Sequence, residues 1–359
     1  MKKRDAVLRV FAPSLPLKAM LQDLKPHDYL CLIYESHNEW KKTVIPFITI
    51  GLKNKEKCIY IGNTHTAREV RKQLKKEGID AKKAEASGQL AILDERETYI
   101  KKGSFDPDLS ACSAQAGRMI KFLIRETNEA LKEGYTASRV TGEMTWFLNG
   151  HPGSERLLEY ESKLNRDFFP KYPCLGMCLY DRGKFDPEII KGVILTHPYI
   201  LIGNHIYRNL YYIPPEKYLR KDKGELEVDL FLKNIKKEHK ILESLQDSEE
   251  QYRKLFEESV EGIVLADIDT GIIIDCNKAL LKLVERERDE VIGKPQKILH
   301  PPEDDIGNVS KTFEKHRKDK RGQTIETRVI TKTGKLKDVE IKANLTEIKG
   351  RKLLQGIFR

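Results

Sequence analysis

The chain has 359 residues, of which 39% are hydrophobic and 33% charged, and its formal net charge is +10. This length is comfortable for two domains, and the hydrophobic content is sufficient for globular cores. The longer apolar runs, such as 44–52, fall far short of the roughly 18 residues that indicate a membrane span, and the basic N-terminus is not followed by the apolar region of a signal peptide.

Cysteine content and charge pattern narrow the class further. Six cysteines are too sparse for a disulfide framework, so we predict reduced thiols and a cytoplasmic location. Lysines alternate with glutamates, as in the run 75–85, which is typical of solvated helix faces. The positive charge therefore favours neither a membrane nor a nucleic acid as partner.

Residues 28–200 alternate short apolar segments with amphipathic ones. The pattern predicts strands at 29–34, 58–61, 90–93, 139–141 and 174–180, and helices at 39–53, 67–76, 114–132 and 155–165. Strands separated by helices indicate βαβ units and a largely parallel sheet. The predicted fold class of this region is α/β, with helices flanking the sheet.

Residues 224–258 have heptad-like spacing and predict one long helix, which forms a parallel dimeric coiled coil. Glu238 and Glu249 fall on the same seam and weaken it, so a solvated linker helix is the alternative. The apolar seam consists of Val228, Phe231, Ile235, Leu242, Leu245, Tyr252 and Phe256.

Residues 259–359 predict a compact α+β domain. Two strands flank a turn at 269–271, and Asn277 is the expected cap of the helix that follows. Alternating residues around Thr333-Gly334 predict an antiparallel hairpin, and a final strand follows the turn at Gly350.

This C-terminal segment resembles a PAS domain. The resemblance lies in "SEEQYRKLFEESVEGIVLAD" (248–267), "GIIIDCNKALLKLV" (271–284), "VIGKPQKILHPPEDD" (291–305) and "GKLKDVEIKANL" (334–345). In chains with PAS domains the last strand is typically followed by an output helix. The end of the sequence at Arg359 therefore predicts a fragment whose output domain is missing.

The N-terminal segment resembles the MEDS domain, the methanogen and methylotroph DcmR-type sensory domain. The resemblance lies in "HDYLCLIYES" (27–36), "IPFITIGLKNKEKCIYI" (45–61), "GEMTWFL" (142–148) and "THPYILIGNHIYRNLYYIPPEKYL" (196–219), where Leu210 departs from the family pattern. It implies a RecA/KaiC-like fold without the nucleotide machinery. It also implies sensing of simple hydrocarbon derivatives, such as methylated or halogenated one-carbon compounds.

Together these patterns predict four segments. They are an N-terminal extension (1–19), a MEDS-like sensory domain (20–220), a helical linker or coiled coil (221–258) and a PAS domain (259–359).

The predicted ligand site lies at one edge of the sheet. In open α/β sheets the ligand crevice is beyond the carboxyl ends of the strands. Polar and aromatic side chains follow several predicted strands at this edge, although each loop taken alone is ordinary surface. The candidate ligand-binding residues there are Tyr34, Glu35, Ser36, His37, Asn63, His65, Glu143 and Trp146.

The loop before the first long helix argues against ATP. Ser36 and Glu39 form a capping-box pattern, so the helix is predicted to start at His37. A phosphate-binding loop needs glycines and a lysine at the helix start, but this loop has no glycine and Lys42 lies inside the helix.

One His/Cys pair and one Cys/Cys pair are candidate metal ligands. His27 and Cys31, like Cys174 and Cys178, are four residues apart, which along a strand is about 13 Å and too far for one metal. No metal site, zinc included, is therefore predicted. The MEDS pattern includes His27 and Cys31, so a role for both in binding a reactive small molecule stays open.

The PAS-like segment gives no clear cofactor. His316 is predicted at an exposed basic helix end and His300 in a loop, which disfavours haem. Cys276 lies on a strand outside any flavin-adduct motif. A small metabolite or no ligand at all is equally expected, and Asn277 is the residue singled out in this domain.

The chain contains no recognisable kinase or helix-turn-helix motif. Our hypothesis is a cytoplasmic sensor: a small molecule binds the MEDS-like domain, the dimeric helix responds, and the PAS domain relays the change to a missing output. The expected partner is a histidine kinase or a response regulator. The alternatives are a RecA-like ATPase with a degenerate loop and the sensory part of a DNA-binding regulator.

Overall fold

The computed structural model describes residues 15–100, 103–105, 118–220, 223–318, 324–348 and 350–359. The chain divides into two compact units, Met1–Lys236 and Lys237–Arg359. Most of the predicted N-terminal extension and the predicted helical residues 114–117 lie outside the described residues. Among the described helices, none combines the length and the apolar character that a membrane crossing requires.

The first unit alternates helices and strands, as predicted. Its elements in chain order are α1 (Leu17–Asp23), β1 (Tyr29–Tyr34), α2 (His37–Lys53), β2 (Lys57–Gly62), α3 (Ala67–Lys76), α4 (Ala81–Ala86), β3 (Leu90–Asp94), α5 (Arg118–Lys132), β4 (Ser138–Glu143), α6 (Leu157–Lys163), β5 (Cys174–Asp181), α7 (Pro187–Thr196), β6 (Tyr199–Ile202), β7 (His205–Arg208) and α8 (Pro215–Tyr218).

These strands form one seven-stranded sheet in the order β3-β2-β4-β5-β1-β6-β7. Every neighbouring pair is parallel except β6 and β7, which form an antiparallel hairpin. The α/β prediction with a mostly parallel sheet is thus confirmed, while the β6–β7 hairpin was not predicted.

Helices cover both faces of the sheet. Alternate residues of β1 point into two hydrophobic clusters, one with α1, α2 and α3 and the other with α5, α6 and α7. Burial on both faces explains why β1 and β5 read as continuous apolar runs rather than alternating ones.

The start of α2 follows the predicted cap with one change. The Ser36 side chain accepts a hydrogen bond from the backbone N–H of Glu39 at 3.3 Å. The Glu39 carboxylate reaches past Ser36 and accepts from the backbone N–H of Glu35 at 2.8 Å. The predicted helix start at His37 is confirmed.

Helix α9 (Lys223–Glu257) is 35 residues long and begins in the first unit and ends in the second. The prediction of one long helix is confirmed, whereas its pairing with a second copy stays a prediction. Several of its apolar side chains are exposed in the single chain, among them Ile235 at 62% and Leu245 at 64%.

The second unit is an antiparallel α+β fold, as predicted. Its further elements are β8 (Gly262–Asp267), β9 (Ile273–Cys276), α10 (Lys278–Val284), α11 (Arg288–Val291), β10 (Asp305–Ile306), β11 (Val309–Ser310), α12 (Lys311–Lys318), β12 (Thr324–Ile330), β13 (Leu336–Ile348) and β14 (Arg351–Phe358). The main sheet has the order β12-β13-β14-β8-β9. Asn277 caps α10 through a bond to the backbone N–H of Leu280.

Candidate functional site

The predicted crevice edge is organised around Glu143, the last residue of β4. Its carboxylate is 1% exposed and accepts hydrogen bonds from the backbone N–H groups of residues 63–65. It also accepts from His65 Nδ1 at 2.6 Å and from the Tyr60 hydroxyl at 2.5 Å. Burial pushes the Glu143 pKa up, but the bonds from His65 and Tyr60 outweigh it and hold the pKa below its ordinary value.

Three of the predicted aromatic residues meet beside Glu143. The His65 ring stacks on Trp40 with 3.8 Å between ring centroids, and His37 stacks on His65 at 5.2 Å. The Tyr34 ring lies 6.4 Å from His65. His37 Nε2 is 3.1 Å from Glu69 Oε1 on α3. The edge residues therefore come together, but largely to bond with one another.

Asn63 and Trp146 link this edge to the other face of the sheet. When the Asn63 amide is oriented with its nitrogen toward Glu95, it donates to Glu95 Oε2 and accepts from the backbone N–H of Trp146. The Trp146 ring is fully buried and packs on Tyr99, with 5.1 Å between centroids. Trp146 was predicted to line the crevice, but the structure places it in the hydrophobic core. Glu35 and Ser36 are exposed.

His27 and Cys31 are held apart. His27 has a positive φ of 80° and its Nδ1 is 2.7 Å from the backbone oxygen of Phe169. Cys31 is buried in β1, where its register partner in β5 is Cys178. Cys31 thereby lies next to a buried polar cluster that the sequence analysis missed.

This second cluster, the Glu161 cluster, consists of Glu161, Cys178, His197, Tyr29 and Tyr180. The Glu161 carboxylate is fully buried and accepts hydrogen bonds from the Tyr29 and Tyr180 hydroxyl groups. Its Oε2 atom is 3.6 Å from Cys178 Sγ and 3.6 Å from His197 Nε2. Burial raises the pKa of Glu161 to about 7 against the effect of these bonds, and burial lowers the pKa of His197 to about 4.

Four elements deliver these side chains to one point. Cys178 and Tyr180 alternate along β5 and share a face, and Tyr29 lies on neighbouring β1. His197 follows α7, and its Nδ1 donates to the backbone oxygen of Val193 at 2.9 Å. Glu161 occupies the buried face of α6.

The sequence around Glu161 carries a signal for a buried carboxylate. Leu157, Tyr160, Glu161 and Leu164 have the spacing of one helix face, and all four are buried. A carboxylate on an otherwise apolar stripe needs buried partners, because an unpaired buried charge is costly. That argument would have singled out Glu161.

A cavity of about 20 Å³ adjoins the cluster and is lined by Tyr29 and Cys178 together with apolar and aromatic side chains. This volume has room for about one water-sized group. Gly176 keeps part of the wall open for the Phe169 ring, since a Cβ at this glycine would lie 2.2 Å from that ring. The first unit thus contains a polar centre beside a small, mostly apolar space.

The cluster also contains a set of possible metal ligands. One ligand atom each from Glu161, Cys178 and His197 lies within 4.8 Å of the others. The residues around Glu143 at the carboxyl ends of the strands do not offer such a set. The Glu143 carboxylate already accepts hydrogen bonds from donors within residues 60–65.

The second unit holds a separate cavity of about 30 Å³, lined mainly by apolar side chains and by Gln296, His300 and His316. The prediction that His316 is exposed was wrong, because it is 4% exposed. It lies one helical turn from buried Phe313 on the inner face of α12, while its basic neighbours face outward. His300 is also buried, and burial lowers its pKa.

The chain thus combines a mostly parallel α/β unit that has a buried polar centre with a small antiparallel α+β unit. Residues 28–198 match the family model of the methanogen/methylotroph, DcmR sensory domain (MEDS). Residues 250–358 match the model of the PAS fold. The chain contains a MEDS domain followed by a PAS domain, as the resemblances predicted.

Individual relatives cover parts of the chain. Over 175 residues it is 25% identical to the transcriptional repressor DcmR of Methylorubrum extorquens, a match that spans 49% of this chain and 60% of the repressor. The chain is also similar to the PAS domain of an HTR-like protein from Haloarcula marismortui, with 18% identity, a TM-score of 0.31, and coverage of 34% of this chain and 98% of that one. A domain of a sensory box sensor histidine kinase/response regulator from Geobacter sulfurreducens has 27% identity, a TM-score of 0.26, and coverage of 32% and 96%.

Proposed function

We propose that this protein is a signal-transduction sensor in which the MEDS domain binds a small molecule at the Glu161 cluster and its adjoining cavity. Helix α9 then carries the change to the PAS domain, which passes it to an output partner. One observation supports the proposal above the others: the helices that supply Glu161 and His197 also contact the start of α9.

These contacts run through α6 and α7. Leu158 of α6 and Leu195 of α7 pack in one hydrophobic cluster with Leu230 of α9. Lys191 Nζ of α7 is 3.6 Å from the Glu227 carboxylate of α9. A molecule bound beside the cluster that shifts either helix therefore acts on α9 directly, provided that it binds one arrangement more tightly than the other.

The cavity limits the ligand to something very small. Its lining is largely apolar and also includes Cys178 and three tyrosines, Tyr29, Tyr99 and Tyr160. This chemistry agrees with the class that the MEDS resemblance implies, namely simple hydrocarbon derivatives such as methylated or halogenated one-carbon compounds. Ligand binding at Glu35, Ser36 and His37 on the carboxyl edge stays an alternative prediction.

We further propose a homodimer through 224–258, a cytoplasmic location and a histidine kinase or response regulator as the downstream partner. The exposed heptad residues of α9 support the dimer, and the free thiols of the five described cysteines fit a reducing compartment. The RecA/KaiC-like relationship belongs to the same proposal and is supported by the six parallel strands of the sheet. Control of transcription is the second candidate for the output, because the MEDS-domain relative is a transcriptional repressor.

The ligand proposal is tested by measuring the melting temperature of the full chain with a series of methylated amines, thiols and halomethanes. Leu123 lines the cavity, so Leu123→Phe fills it. Leu74 is equally buried on the opposite face of the sheet, and Leu74→Phe is the matched control for overpacking. We expect a compound that stabilises the wild type and Leu74→Phe but not Leu123→Phe. If no compound of the series stabilises the wild type, the proposed ligand class is wrong.

A further inference from the structure

Two hydrogen-bond acceptors face each other in the Glu161 cluster. Because His197 Nδ1 donates to the backbone oxygen of Val193, Nε2 carries a lone pair. This atom is buried and has no hydrogen-bond partner among the residues that the structure describes. Instead it lies 3.6 Å from Glu161 Oε2, which is itself an acceptor when ionised. Either a proton on the carboxyl group or a metal ion between the two atoms satisfies both acceptors.

We propose that Glu161 Oε2, Cys178 Sγ and His197 Nε2 bind a Zn²⁺ ion. The three atoms supply one oxygen, one sulfur and one nitrogen ligand, all of which zinc accepts. A thiolate and an imidazole together favour zinc over the hard cations Mg²⁺ and Ca²⁺, which prefer oxygen ligands. The inference goes beyond the proposed sensor function, since zinc can be measured with no small molecule present.

The separations of the ligand atoms fit a tetrahedral ion. Bonds of about 2.0–2.3 Å at tetrahedral angles place neighbouring ligand atoms about 3.3–3.8 Å apart. The distances from Glu161 Oε2 to Cys178 Sγ and to His197 Nε2 are both 3.6 Å. All three atoms lie within 4.8 Å of one another, so a small closure of the remaining pair completes the geometry.

Charge balance favours the same ligand set. A carboxylate, a thiolate and a neutral imidazole carry two negative charges, which offset the two positive charges of zinc in a fully buried site. Binding forms the Zn–S bond as the Cys178 thiol proton is released to solvent, and the Zn–O bond forms as any proton on the Glu161 carboxyl leaves in the same way. The Zn–N bond uses the existing lone pair of His197 Nε2. Zinc is not oxidised or reduced.

Neighbouring groups already hold two of the ligands in place. The Val193 carbonyl fixes the tautomer and orientation of His197, which is the usual outer-shell arrangement of a zinc-bound histidine. The Tyr180 hydroxyl donates to Oε1 of Glu161 and holds the carboxylate with Oε2 toward Cys178 and His197. Tyr29 donates to Oε2 and lies 3.1 Å from Cys178 Sγ, so its hydroxyl has to turn away from these two atoms when zinc binds. Three protein ligands leave a fourth position open, and the cavity next to Cys178 gives space for a water or a small donor molecule there.

The test is the metal content of the full chain, purified from zinc-supplemented cells and measured by mass spectrometry. Cys178→Ser and His197→Gln remove one ligand each. Cys174→Ser is the matched control, because Cys174 is a buried thiol on the same strand outside the ligand set. We expect about one zinc per chain in the wild type and in Cys174→Ser, and a loss of roughly tenfold or more in the other two variants.

Refolding with Co²⁺ provides a second readout, which reports the metal–thiolate bond directly. A cobalt–thiolate charge-transfer band in the wild type and in Cys174→Ser, and its loss in Cys178→Ser, is the expected result. A wild-type chain that retains no zinc and gives no such band overturns the proposal. Full zinc content in both ligand variants overturns it as well.

Discussion

The side-chain amide of Asn277 donates a hydrogen bond to the backbone oxygen of Phe256, next to the C-terminal end of α9, with 3.0 Å between the two atoms. The same side chain donates to Glu261 and accepts from the backbone N–H groups of Ile263 and Leu280. Asn277 is therefore both the cap of α10 and the point where the PAS domain holds the end of the long helix.

Replacing Asn277 separates these two roles. Asn277→Ala removes all four bonds and should destabilise the PAS domain by about 1–3 kcal/mol. Asn277→Asp keeps the acceptor oxygen for Ile263 and Leu280 but loses the donor to Phe256 and Glu261 and places a carboxylate against their two carbonyl oxygens. We expect it to be less stable than the wild type in urea unfolding and to show faster amide hydrogen exchange at the end of α9. An aspartate variant with wild-type exchange there contradicts the proposed anchoring.

A buried ion pair stabilises the MEDS domain. Arg139 on β4 is 1% exposed, donates two hydrogen bonds to the Glu56 carboxylate and places its guanidinium 4.7 Å from the centre of the Phe47 ring. Arg139→Ala leaves the Glu56 charge buried and unpaired, so the expected loss is about 3–5 kcal/mol of unfolding free energy.

Two comparisons make this measurement specific. Exposed Arg125 pairs with Glu126, and Arg125→Ala should change the unfolding free energy by less than about 1 kcal/mol. Replacing both partners, in Arg139→Met with Glu56→Met, should recover most of the loss, since no unpaired charge remains. A double variant as unstable as Arg139→Ala would show that packing, and not the buried charge, dominates.

Acid should weaken the carboxyl edge through Glu143. Its folded pKa lies below the ordinary value of 4.5, so the stability that it contributes is present above that value and is lost as the pH falls through the folded pKa. Glu143→Gln should be less stable than the wild type at neutral pH by about 1–3 kcal/mol. Its unfolding free energy should also fall less steeply in acid, which denaturant unfolding at a series of pH values measures. Parallel curves for the two proteins would exclude this role of Glu143.

The apolar seam of α9 predicts a dimer that one residue can break. Leu242 lies on the heptad seam and is 59% exposed in the single chain, whereas neighbouring Ile241 is off the seam and 54% exposed. Leu242→Glu should give a monomer in sedimentation velocity because it places two carboxylates at the centre of the paired helices. Ile241→Glu, which adds the same charge one residue away, should remain a dimer. A monomeric wild type, or the same shift in both variants, would contradict the coiled coil.

Local patterns predicted most elements of this chain. Strands β1, β2 and β5 are short apolar runs, and the helices have their own caps or periodic stripes, as Ser36 and Asn277 illustrate. The β6–β7 hairpin was missed although its turn contains Gly203, whose φ is +59°. The order in which β5 lies between β4 and β1 depends on contacts between distant segments, which no local pattern contains.

The candidate site also depends on contacts between distant segments that no local pattern predicts. Glu161, Cys178 and His197 come from a helix, a strand and a helix end, so no sequence spacing relates them as it would in a Cys-x-x-Cys pair. His27 and Cys31 are close in the sequence, but their side chains do not meet in the structure. His316 was predicted to be exposed because of its basic neighbours, although its spacing from Phe313 places it on the buried face of α12.

The 35-residue length of α9 has a consequence for how a signal depends on helical phase. Such a helix is about 52 Å long, and each residue turns it by about 100°, so one inserted residue rotates everything that follows by about that angle. Seven inserted residues restore the heptad phase at a greater length, whereas three or four do not. If α9 transmits the signal by rotation, the response of the output to insertions within 237–250 should rise and fall with the helical repeat rather than decline with inserted length.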